Sequence, residues 1–261
     1  MRGMALALAV VLSTVVCGAA QAQDPIALGP DRTVSFRSIS LDGDVTLRLT
    51  GAGERTVSDE RPTAVMFLPP AEARALIDGL DRCGTDREVC GLAVPAYRVT
   101  VLAVDPTEIA RLAGRRPDPA TATSAFLARE LPEWLFEQIA PDDTLLIAGG
   151  AESVDALRGA LLQPGAYDEM LLLEPGLEPE VARALMSAVP PFGGETGNID
   201  IYADPWSPGE DLATETLVNA MVEGPYYVNW IAPDDQAPDP DAARRAVAVG
   251  IVWRMAAVPP W

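Results

Sequence analysis

The stretch TLLIAGGAESVDAL, from Thr144 to Leu157, joins an apolar run to a glycine pair and then to the start of a helical pattern. That is the outline of a nucleophile elbow, the sharp strand-to-helix turn written G-x-S-x-G. The chemistry of the motif is missing. In the run Gly149-Gly150-Ala151-Glu152-Ser153 the place of the serine falls on Ala151, whose methyl group cannot attack a carbonyl. No base is at hand elsewhere, because the 261 residues include no histidine and no lysine. A Ser-His-Asp triad and a Ser-Lys dyad are both excluded, as is any Schiff-base mechanism.

Outward from this turn the pattern alternates. Thr33 to Ile39 and Asp44 to Leu49 read as antiparallel strands joined at Asp42-Gly43. Short buried runs follow at Thr63 to Leu68, Tyr97 to Val104, Thr144 to Ala148, Met170 to Glu174, Ile199 to Ala203 and Tyr226 to Ile231. Helical spacing separates them at Ala71 to Asp81, Thr121 to Ile139, Val154 to Leu162, Glu178 to Ala188, Leu212 to Glu223 and Asp241 to Ala256. Continuous apolar strands alternating with helices predict a three-layer α/β fold, its central sheet mostly parallel with an antiparallel N-terminal edge.

The first 22 residues have the form of an export signal. Arg2 is their one charge, Met4 to Val16 is apolar, and Ala20-Gln21-Ala22 supplies the small-x-small pattern, with cleavage expected after Ala22. The expected location is periplasmic or secreted, with a single domain over residues 23–261 and no transmembrane segment in the mature chain. A lipoprotein leader through Cys17 fits less well, since Val16 precedes it where a small residue is needed. Without the leader 18 basic residues face 38 acidic ones, a net charge of −20. Such a surface repels nucleic acid and excludes it as a partner.

Cys83 and Cys90 remain after processing, in CGTDREVC, and in an oxidising compartment they are expected to form a disulfide worth about 2 to 3 kcal/mol. The spacing is not C-x-x-C, and no histidine is available to complete a zinc site. The acidic segment PDDQAPDP, Pro233 to Pro240, does not match a calcium loop, so neither a metal nor a cofactor is expected.

The segments SAFLAREL (Ser124 to Leu131), Pro132 and Trp134, LLIAGG, Ala156-Leu157, QPGAY (Gln163 to Tyr167) and LLLEP (Leu171 to Pro175) together resemble the bacterial esterases related to esterase D and the enterochelin esterases. Arg115 or Arg116 with Asp118 stands where that family carries an arginine and an aspartate. The resemblance implies an α/β-hydrolase fold with its site at the elbow. It places Gly150 under the family's histidine, Ala151 under its nucleophile, and Ser153 and Val154 under its two packing glycines. The catalytic histidine would fall near Asp235 or Gln236, and Asp204, Glu210 and Asp211 are the candidates for its acid. One oxyanion-hole donor would come from the loop after TAVMFL, which begins Pro69-Pro70 and has no N–H to give. Ser153 as a displaced nucleophile has no base to activate it.

The expectation is therefore an exported esterase-like protein without catalytic residues, acting as a ligand-binding or protein-interaction module. Pro69, Pro70, Ala151, Glu152 and Trp206 would line its cleft, and Trp134, Tyr226, Tyr227, Trp230 and Trp261 add aromatic surface. Its partner would be a small molecule or an envelope protein. The competing expectation is an active hydrolase using carboxylates, Glu152 among them, or a bound ion.

Overall fold

The computed structural model describes residues 32–52, 62–85, 99–190, 197–203, 212–233 and 237–256. The leader, Trp206, Trp261, the acid candidates Asp204, Glu210 and Asp211, the positions Asp235 and Gln236, and the Cys83–Cys90 pairing all lie outside these described residues.

Eight strands form one sheet in the order β1-β2-β4-β3-β5-β6-β7-β8. β1 (Arg32–Ser38) and β2 (Gly43–Ala52) form the antiparallel edge, and β2 also runs antiparallel to β4 (Val99–Val104). From β4 onward the neighbours β3 (Thr63–Phe67), β5 (Thr144–Gly149), β6 (Glu169–Leu173), β7 (Gly197–Tyr202) and β8 (Tyr226–Ile231) are all parallel. The fold class is the one that the alternation of strands and helices predicts. The strands of the centre are buried on both faces, which is why they read as unbroken apolar runs.

Two separate cores flank the sheet. Helices α1 (Pro70–Thr85) and α8 (Pro240–Ala256) pack against one face, where Leu76, Leu80, Val252 and Trp253 meet Met66, Ile147 and Leu171. On the other face lie α2 (Pro106–Ala113), α3 (Pro119–Ala125), α4 (Leu131–Gln138), α5 (Glu152–Leu162), α6 (Pro179–Met186) and α7 (Leu212–Glu223), around Phe67, Leu146 and Leu172. The strand alternation divides the two sets: Ala148 faces the second core, so Gly149 faces α1 and α8.

Two elements depart from the sequence expectation. Helix α2 was not anticipated, although Asp105 caps it by accepting from Thr107 N at 2.9 Å, Pro106 opens it and Gly114 ends it. The single helix expected over Thr121 to Ile139 is instead α3, a π-helical turn at Phe126–Glu130 and α4. Pro132 has no N–H and its ring would collide with the carbonyl four residues back. A wider turn, in which Leu131 N–H reaches Phe126 O, accommodates it. The turn also delivers Glu130 to the β1–β2 hairpin, where its carboxylate accepts from the Ser38 hydroxyl, from Ser40 N at 2.7 Å and from the Ser40 hydroxyl at 2.7 Å.

Candidate functional site

The carboxyl ends of β3, β5 and β6 meet at the turn that carries β5 into α5, the position where open α/β sheets hold their ligands. Gly149 ends β5. A Cβ there would stand 2.9 Å from Leu68 Cδ2 and 3.8 to 3.9 Å from the Glu72 carboxylate oxygens, so the turn and α1 approach closely only because the side chain is absent. Gly150 has φ +54° and donates its N–H to Leu173 O at 2.9 Å. Ala151 is already right-handed, φ −64° and ψ −28°, and precedes α5 without a side-chain cap.

The left-handed residue of the turn is thus Gly150, one position before Ala151, on which the family pattern places the nucleophile. Neither side chain carries an atom that can attack. Both residues are exposed, so the tip of the turn is open to solvent. Ser153 is not. It is fully buried in the first turn of α5, its N–H goes to Gly150 O at 3.2 Å, and its hydroxyl has no partner.

The opposite wall begins with Pro69 and Pro70, both exposed and both without an N–H. Beyond Ala71, the N–H groups of Glu72 and Ala73 are spent on Pro69 O at 2.9 and 3.0 Å, which starts α1. No backbone donor of Pro69 or Pro70 can face an oxyanion here.

Charge fills the space instead. Arg244, one turn into α8, places Nη2 2.9 Å from Glu72 Oε1 and 3.7 Å from Asp241 Oδ1, with Nη1 3.2 Å from Glu174 Oε2. Its side chain is 17% exposed and that of Glu72 21%, so water screens this pair weakly. Glu174 follows β6 at φ +49°, a region that non-glycine residues avoid, and its N–H donates to Tyr202 O at 2.8 Å. The wall positions Glu152 Oε2 3.6 Å from where a Gly150 Cβ would be. Glu152 and Asp155 sit in the first turn of α5, where carboxylates favour the helix dipole. Burial pushes the Asp155 carboxyl up from its ordinary value, opposed by Arg158 at 2.7 Å.

Pro69 and Pro70 follow the end of β3, and Gly150, Ala151 and Glu152 follow the end of the neighbouring β5. The structure adds Glu72, Glu174 and Arg244, which the sequence reading did not single out. The signal was present in part: Glu72 lies two residues past Pro70, and Arg244 follows the acidic segment on which the resemblance puts the histidine. Only the fold shows that α1 and α8 share one face and aim these charges at one turn. Asp118, by contrast, serves as the cap of α3, accepting from Thr121 N at 3.1 Å. Trp134 stacks on Phe36 with ring centroids 5.6 Å apart. Tyr226 is buried, and Tyr227 and Trp230 lie on the edge strand β8.

A small cavity, with space of about 10 Å³, lies at the other end of the sheet between Tyr167, Met170, Ile199 and Tyr226. The Tyr167 hydroxyl donates to Leu127 O at 2.8 Å and that of Tyr226 to Ala160 O. Burial raises both phenols well above their ordinary range. These are core tyrosines, and the cavity has no connection to the turn chemistry.

No family model matches the chain, and no curated protein sequence does. Solved structures do match. The siderophore hydrolase EstA from Aspergillus nidulans superposes with a TM-score of 0.56 at 12% identity, covering 98% of this chain and 100% of that one. An S-formylglutathione hydrolase from Agrobacterium tumefaciens gives 0.55 at 10% identity, covering 87% and 95%. The enterochelin esterase from Shigella flexneri gives 0.54 at 15% identity over 88% of this chain, which spans 59% of that enzyme's length. At such identities the likeness is one of fold: the chain has the α/β-hydrolase fold of esterase-like serine hydrolases. Among the described residues no helix is long and apolar enough to cross a membrane.

Proposed function

We propose that this protein is an exported, non-catalytic member of the α/β-hydrolase architecture, a module that holds a ligand or a partner at the β5–α5 turn. The observation that carries the proposal is the turn itself, in which Gly150 is the left-handed residue and Ala151 the helix start, with no nucleophile at either place. The absence of histidine and lysine from the whole chain removes the usual bases that could activate a hydroxyl nearby. The buried Ser153 hydroxyl and the proline-lined wall support the same reading. An open turn at the ends of parallel strands remains a place where ligands bind without chemistry.

The similar structures include a siderophore hydrolase, an enterochelin esterase and an S-formylglutathione hydrolase, and nitrophenyl esters of short acids are general esterase probes. The mature protein is expected to hydrolyse them no faster than the chain with Ala at Ser153. Turnover that is abolished by a chelator, or by Glu152→Gln, would instead establish the metal- or carboxylate-dependent hydrolase. Export is tested separately by the N-terminal sequence of the periplasmic or secreted protein, expected to start at Gln23.

A further inference from the structure

We draw no further inference here: the strongest candidate, the outer edge of the terminal strand β8, where Tyr227 and Trp230 are 65% and 36% exposed, carries nothing because nothing in the structure shows what covers it.

Discussion

Replacing Gly150 with alanine separates two geometries of the elbow that the sequence alone does not distinguish. At an ordinary backbone position Gly→Ala stabilises a protein by about 0.4 to 1 kcal/mol, since the unfolded chain loses freedom. At φ +54° a Cβ approaches the following carbonyl, a cost of about 1 to 2 kcal/mol. Space is not the obstacle, because the nearest atom to such a Cβ is Glu152 Oε2 at 3.6 Å, an ordinary contact. The strain therefore stands alone, and offset by the unfolded-state gain it leaves a net loss of roughly 0 to 1.6 kcal/mol. Urea unfolding reads this as a lower midpoint at unchanged slope. Gly150→Asn should lose less, since asparagine tolerates the left-handed region. Ala151→Gly should also destabilise, by up to about 1 kcal/mol, because a right-handed residue beside the helix loses order. A Gly150→Ala variant more stable than the parent would refute the geometry and return the tip of the turn to Ala151.

Three further outcomes follow from the same coordinates. Glu130→Ala should cost about 1 to 3 kcal/mol in urea unfolding, because it strands the fully buried Ser38 hydroxyl and the Ser40 N–H of the hairpin. Burial first, then the like charges of Asp168 and Asp142, raise the Asp143 carboxyl above its ordinary value. The folded state thus holds that proton more tightly than the unfolded chain. The contribution of Asp143 is present below about pH 4 and is lost as pH rises through the folded value. Asp143→Asn should accordingly raise the melting temperature at pH 7 and leave it unchanged near pH 3. Serine placed at Gly150 or at Ala151 should remain unreactive towards nitrophenyl acetate, since neither variant gains a histidine to accept its proton. Turnover from either would show that another residue supplies the base.

The fold was legible because its signals are local. The apolar runs at Thr63, Thr144 and Met170 are short, unbroken and separated by helical spacing, which is the mark of strands covered on both faces. The missed α2 shows the limit of periodicity in an eight-residue helix, although its caps at Asp105 and Gly114 carried the information. The π-turn before Pro132 was not legible as such, because a proline in the middle of a helical pattern is compatible with a break and restart, a kink or a wider turn, and packing of Phe126 and Glu130 decides among them. At the site, alanine at position 151 and a chain without histidine are read directly from the sequence. The position of the left-handed residue is not, as a Gly-Gly pair permits positive φ at either member. Glu72 and Arg244 are 172 residues apart in sequence. Nothing in the spacing brings them together; adjacency of α1 and α8 on one face of the sheet does.

The most direct test of a non-catalytic turn is intact-mass analysis of the purified mature protein after exposure to a fluorophosphonate that labels activated serines. The expected spectrum is that of the unmodified chain, identical for the parent and for Ser153→Ala. A stoichiometric adduct that maps to Ser153 and disappears in Ser153→Ala would contradict the account and make this protein a serine hydrolase by an unforeseen route.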